Sequence, residues 1–157
     1  MCDNIFDKLP KEQLFEELTH DNLKEVIDIV KLSNSDESHC IIFDDMTAYL
    51  KNKETLQQLK ELIFNRRHLH VSIFFLCQTW FSIPKDIRKL FTNVFVFKVS
   101  KVELSTIFEE LIEQKKELIL DISKLVFNTK YQFLFTNVES QRLFKNWDEI
   151  LISDDCV

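Results

Sequence analysis

The chain reads as an α/β protein with a mainly parallel sheet and helices on both faces, a three-layer arrangement. Three observations predict this. Apolar runs within 39–45, 71–77 and 94–99 are too continuous for half-exposed strands. Amphipathic segments of helix length separate them. Strands that alternate with helices call for parallel pairing through right-handed crossovers. At 157 residues, 45% of them hydrophobic, the chain can bury a real core. Residues 1–157 read as a single domain, uninterrupted by a repeat, a low-complexity tract or a linker.

Taken in order, Pro10 is suited to the first position of a helix, and Lys11 to Leu18 carries Leu14, Phe15 and Leu18 on one face. A second helix follows Asp21, with Leu23, Val26, Ile27 and Val30 at helical spacing, and stops before the polar run Ser33 to Ser38. The first strand lies in His39–Asp45. A helix from about Glu54 to Arg67 bears the stripe Leu56, Leu59, Leu62 and Ile63, and ends in Asn65-Arg66-Arg67-His68, cations suited to a helix carboxyl end. The second strand, Val71 to Cys77, ends on Gln78-Thr79, and Trp80, Phe81 and Ile83-Pro84 form an apolar packing loop. A short helix from Lys85 to Leu90 leads to a third strand, Val94 to Val99. Ser100 and Glu103 make a capping box for the longest helix, Glu103 to about Leu118, whose buried face is Leu104, Ile107, Phe108, Leu111 and Ile112. Leu125-Val126-Phe127 and Tyr131 to Phe135 read as a β-hairpin around Asn128-Thr129-Lys130. Phe144, Trp147 and Ile150 close the chain as a docked segment, and Ser153 to Val157 form a loose end.

Composition narrows the function. No stretch approaches the roughly 20 apolar residues of a membrane span, and the amino terminus has no signal-peptide pattern, so the expectation is an intracellular protein. Cys2, Cys40, Cys77 and Cys156 are widely spaced, which suits buried thiols in a reducing compartment and no structural metal. A net charge of −6 argues against a broad basic DNA grip, though not against a local patch or an oligomeric pore. The chain has no glycine at all. Phosphate-cradling loops need glycine for close backbone approach and positive φ, so this sequence holds no Walker A loop and no dinucleotide fingerprint.

The chemistry concentrates at His39-Cys-Ile-Ile-Phe-Asp-Asp45. An apolar strand that ends in two carboxylates delivers them to the carboxyl edge of a sheet, where open α/β folds place ligands. One reading has the aspartates capping the following helix. The other is a Walker B strand, with Asp44 on Mg²⁺ and Asp45 polarising the attacking water. Gln78, at the tip of the next strand, is placed where an ATPase keeps a residue that orients water and reports the γ-phosphate. For Arg66 and Arg67 the simple reading is a solvated helix terminus.

Cys-Ile-Ile-Phe-Asp-Asp, Asn-Arg-Arg-His-Leu-His-Val-Ser, Phe-Leu-Cys-Gln-Thr and Ile-Pro-Lys-Asp-Ile-Arg occur in that order. The series resembles the poxvirus-type genome-packaging ATPases of large DNA viruses and virophages, within the FtsK/HerA superfamily of P-loop ATPases. The resemblance runs from about Asn4 to Ile150. It implies a P-loop NTPase-like fold of RecA/FtsK type with a carboxyl-terminal β-hairpin, lacking the first strands and the P-loop. It implies ATP and Mg²⁺ as cofactors, Asp44 as the Mg²⁺ carboxylate, Asp45 as catalytic base, and Gln78 as sensor in contact with nucleotide. Arg67, with Arg66 second, corresponds to an arginine that reaches a neighbouring subunit's nucleotide, and Arg88 is a further basic candidate facing nucleotide or DNA. Implied partners are double-stranded DNA, further ATPase subunits in a ring or a Walker A-bearing chain, and the capsid or portal vertex. The implied location is the host cytoplasm, in viral factories, or the virion.

The implied function is ATP-driven packaging of DNA into a capsid by an ATPase of which this chain is one part. A non-catalytic assembly subunit that docks on an intact ATPase or capsid protein is the alternative. A metal nuclease using Asp44 and Asp45 is the weaker third, because such sites need more converging acids and a lysine.

Overall fold

A computed structural model of the chain describes residues 8–33, 37–112 and 116–152. The chain divides into two compact units, Met1–Gln78 and Thr79–Val157.

In the first unit, Lys11–Gln13 forms a single 3-10 turn, and Leu14 is already extended. The expected helix to Leu18 is not formed. A short helix must repay a costly nucleus by packing an apolar face, and here Leu14 is exposed while Leu18 alone is buried. Helix α1, His20–Leu32, is capped by Thr19, whose hydroxyl accepts from the Asn22 N–H. It buries Leu23, Ile27 and Val30. Strand β1, His39–Asp44, is tied to the end of α1 by a 2.6 Å hydrogen bond between His39 Nε2 and Ser33 Oγ. A 3-10 segment, Met46–Lys51, follows. Asn52 then caps α2, Lys53–Asn65, by accepting from the N–H groups of Glu54 and Thr55.

Turns over 66–70 lead to β2, Val71–Leu76, which pairs with β1 in parallel, His39 opposite Val71 and Asp44 opposite Leu76. Phe43 and Phe75 face each other across the pair with ring centroids 4.9 Å apart. Residues 41, 43, 71, 73 and 75 lie on the covered face, and 40, 42, 44, 72, 74 and 76 on the open one. The two strands are therefore half exposed, against expectation, and the Cys40 and Cys77 thiols are exposed rather than buried. An unbroken apolar run says that both faces can be covered, not that both are.

In the second unit, Trp80–Ser82 is a 3-10 turn and Lys85–Arg88 a single helical turn, α3. Strand β3, Asn93–Val96, does not extend a parallel sheet. It pairs antiparallel with β4, Leu134–Asn137, in the four-stranded order β3-β4-β5-β6, with β5 Arg142–Lys145 and β6 Asp148–Glu149. The carboxyl-terminal hairpin is present as β4 and β5. It does not use 125–127, which belong to a helix and its end.

The expected long helix is two, α4 Lys101–Leu111 and α5 Lys116–Val126. Ile112 is extended at the end of α4, its side chain in the core. Phe108, Leu104, Ile107, Leu111, Ile119, Ile122 and Val126 pack with Val94, Val96, Leu134 and Leu143 of the sheet. Burial at about 25 cal/mol per Å² makes this layer the main stabilising element of the unit. Trp147 docks on the rings of Phe95, Phe133 and Phe135, with centroids 5.4–6.0 Å apart, while much of its surface stays exposed. The end 153–157 lies outside the described residues. No helix among them is long and apolar enough to cross a membrane.

Without glycine, the left-handed backbone positions fall to other residues: Asp45, His70, Tyr131, Gln141 and Asn146. Left-handed backbone costs an L-residue with a Cβ roughly 1–2 kcal/mol, least for Asn and Asp.

Candidate functional site

The parallel register brings Asp44 and Leu76, the last residues of β1 and β2, side by side. Asp45 N–H donates to Leu76 O at 3.0 Å, one more rung beyond the strands. Asp45 then turns sharply, with φ 52° and ψ 28°. Its side chain makes no cap hydrogen bond to the 3-10 segment that follows, so the capping expected of the acid pair is not formed at Asp45. Its Oδ2 instead accepts a 3.1 Å hydrogen bond from Gln78 Nε2. Asp44, Asp45 and Gln78 are all exposed. The strand ends thus present two solvent-facing carboxylates, one oriented by an amide from the adjacent strand.

Arg66 and Arg67 lie at the other end. The Arg66 guanidinium donates to Ile63 O at 2.9 Å and closes the carboxyl end of α2, as a cation at that terminus should. Arg67 is exposed, and its carbonyl accepts from the His70 N–H just before β2 begins. Strands rise about 3.3 Å per residue, so β2 separates Arg67 from the acids by roughly 20 Å. That exceeds an arginine's reach. The structure therefore brings Asp45 and Gln78 together beside Asp44 and leaves Arg67 apart.

Arg88 is not an open basic residue. It is buried, with a guanidinium nitrogen 3.2 Å from Glu110 Oε2 and its carbon 5.4 Å from the centroid of the Trp80 ring. Trp80 Nε1 donates to the same Glu110 oxygen at 2.9 Å. The capping box is half formed: Ser100 Oγ accepts from the Glu103 N–H. The Glu103 carboxylate goes elsewhere, accepting from Thr79 Oγ1 at 2.9 Å and from the Trp80 N–H.

The grip of Glu103 and Glu110 on the residues just after Gln78 was not expected from the sequence. A signal existed, because Glu103 and Glu110 sit seven residues apart on the face that carries Ile107 and Leu111, two carboxylates inside an apolar stripe.

The acids stand at the carboxyl ends of parallel strands, the edge where open α/β sheets bind their ligands. Residues 11–138 match the family model described as Poxvirus A32 protein, and the chain belongs to that family of genome-packaging ATPases. Among solved structures, it is similar to the genome packaging NTPase B204 from Sulfolobus turreted icosahedral virus 2, in complex with AMPPCP. The TM-score is 0.64 at 17% identity, over 88% of this chain and 65% of that one, so the chain spans under two thirds of this relative. No curated protein matches the chain by sequence.

Proposed function

We propose that the chain forms part of a viral motor that couples ATP hydrolysis to translocation of double-stranded DNA into a capsid. The observation that carries this reading is the Asp45–Gln78 hydrogen bond at the carboxyl ends of two parallel strands. Membership of the packaging family and the likeness to an NTPase solved with an ATP analogue support it.

The donor set fits a magnesium nucleotide. Among the described residues no group of three or more His, Cys, Asp or Glu could hold a metal. Mg²⁺ is commonly held by one or two carboxylates together with substrate phosphates, which Asp44 supplies from an exposed strand end. When bound, the ion neutralises charge on the β- and γ-phosphates. Asp44 is its carboxylate. Asp45 serves as the Walker B base, orienting a water for attack, and the Gln78 amide fixes which way that carboxylate points while sensing the γ-phosphate. Arg67 serves a neighbouring subunit. With no glycine in the chain, the phosphate-cradling loop has to come from residues outside this sequence. DNA, a ring of such subunits and a capsid vertex are the partners, in viral factories or the virion.

The test is phosphate release by the purified chain, alone and with a polypeptide bearing a Gly-Lys-Ser or Gly-Lys-Thr loop from a packaging ATPase. The chain alone should be nearly silent. The pair should hydrolyse ATP, and Asp45→Asn should abolish that activity. Robust turnover by the chain alone, lost in Asp45→Asn, would overturn this division of labour.

The glycine-free sequence also favours a second reading, a non-catalytic assembly subunit. The apolar loop lends it little, because Trp80 and Ile83 are buried and Phe81 alone of the three is exposed. A pair that associates but stays inactive would select it.

A further inference from the structure

We propose that the open face of the four-stranded antiparallel sheet is a stacking platform for the bases of single-stranded nucleic acid, with Trp147 as its anchor. Every residue involved belongs to the second compact unit. The platform is separate from the acids of β1 and stands whether or not the chain takes part in ATP hydrolysis.

Alternation along the strands sorts the side chains of this sheet by kind. The face turned to α4 and α5 carries Val94, Val96, Leu134 and Leu143. The open face carries Phe95, Phe97, Phe133, Phe135 and Phe144, with Trp147 packed among them. Its apolar residues are all aromatic. Phe95 stacks on Phe135 at 4.7 Å and Phe135 on Phe144 at 5.1 Å, a row across three strands. Phe133 meets Phe97 at 5.8 Å and Trp147 at 5.4 Å. Yet Phe95, Phe97 and Trp147 remain 45%, 59% and 70% exposed. An indole open to that degree cannot have both ring faces covered. Its place is nonetheless fixed, because Asn146 just before it donates its N–H to Phe133 O at 2.9 Å and accepts the Phe133 N–H on Oδ1 at 3.1 Å.

Burial alone does not call for rings, since the inner face achieves it with aliphatic side chains. Rings add a π face, and a base stacked on an aromatic ring is the sequence-tolerant contact by which proteins hold single strands. A duplex hides its base faces, so the platform selects against it. Three strands about 4.8 Å apart span roughly 10 Å, room for two or three bases. The charges suit a polyanion. Glu149 on this side is neutralised by Arg142, whose guanidinium also lies 5.2 Å from the centroid of the Phe144 ring. Asp148 stands opposite Lys145 in register, off the aromatic face. Two exposed lysines flank the platform in sequence, Lys98 directly after Phe97 and Lys130 three residues before Phe133.

The experiment is fluorescence titration of the full chain with a twelve-nucleotide oligothymidylate, an abasic strand of equal length and charge, and a duplex of that length. The chain has two tryptophans, Trp80 buried and Trp147 open, so a base on the platform reads as quenching that Trp147→Phe abolishes. The oligothymidylate should quench, and the abasic strand and duplex should bind about tenfold more weakly or worse. By anisotropy of a labelled strand, Trp147→Ala should weaken binding about tenfold, and Phe97→Ala by less. Trp147→Phe keeps a ring and should keep most of the affinity. Salt should matter little: two lysine–phosphate contacts give a logarithmic slope of about −1.4.

No binding of the oligothymidylate, equal binding of the abasic strand, or full binding by folded Trp147→Ala overturns the proposal. So does quenching that survives Trp147→Phe, since the base would then lie at Trp80. So does a wild-type dimer that Trp147→Ala dissolves and oligothymidylate leaves intact, because the face would then join two copies of the chain. Should Trp147→Ala not fold, Trp147→Phe and Phe97→Ala carry the test.

Discussion

Asp45 shows how one residue can carry a turn and a reactive group together. Its left-handed backbone re-aims the carboxylate away from the strand axis, so the side chain that would otherwise cap the next turn meets Gln78. Aspartate tolerates this conformation better than most residues. Tyr131 does not, and at φ 65° with 92% of its surface exposed it has little packing to offset the strain. Tyr131→Gly should raise the stability of the chain by up to about 1 kcal/mol, the relieved strain exceeding the entropy that glycine adds to the unfolded state. Urea denaturation would check it, and a lowered midpoint would show that this tyrosine is not strained. The acid pair and Gln78 were legible because polar residues at the tips of apolar strands announce the sheet edge that presents them. The left-handed positions were not legible. Their usual marker is glycine, and this chain has none.

At the scale of elements, capping and packing decide stability. Phe108 is 1% exposed at the centre of the second unit's core. Phe108→Ala should cost about 3–5 kcal/mol through lost burial and the cavity left behind. Ser100→Ala should cost about 1 kcal/mol by orphaning the Glu103 N–H. The ratio of the two in denaturant unfolding is the check. If Ser100→Ala were the costlier, the hydroxyl would be supporting more than a helix start.

The β5–β6 ribbon makes a separate pH prediction. Arg142 donates to both Glu149 oxygens, at 2.6 and 2.5 Å, and this hydrogen bonding, with charge attraction, holds the Glu149 carboxyl below its ordinary value. A depressed folded value means that the pair's contribution is present above the ordinary glutamate range and lost as pH falls through the folded value. The pair is exposed, so its contribution is small. NMR titration should show Glu149 protonating at lower pH than a free glutamate, and Arg142→Ala should return it to the ordinary range with little change in Tm. The break between α4 and α5 could not be read in advance, because Leu111, Leu118 and Ile122 continue in helical phase across it. Leu125-Val126-Phe127 departs from the strand that its sequence suggests for a related reason. An apolar triplet suits a strand or a buried helix end equally, and Val126 follows Ile122 by one helical turn.

At the scale of the whole molecule, the placement of Arg67 bears on how subunits share a site. Within one chain the six residues of β2 stand between this arginine and the carboxylates, roughly 20 Å of strand. If Arg67 acts on a transferring phosphoryl group, it acts on that of another subunit, where an arginine supplied in trans can contribute 10³–10⁵, roughly, in rate. Complementation follows from that geometry. With the phosphate-loop polypeptide supplied in excess, Asp45→Asn chains and Arg67→Ala chains should each be inactive alone. Mixed, they should recover part of the wild-type phosphate release, because an Arg67→Ala subunit with intact acids can sit beside an Asp45→Asn subunit with an intact arginine. Arg66→Ala, which removes a cap on α2, should lower stability and leave complementation unchanged. If mixtures stay as inactive as their components while co-assembly is verified by native mass spectrometry, Arg67 does not work across subunits. Its exposure before β2 would then mark only a solvated helix terminus.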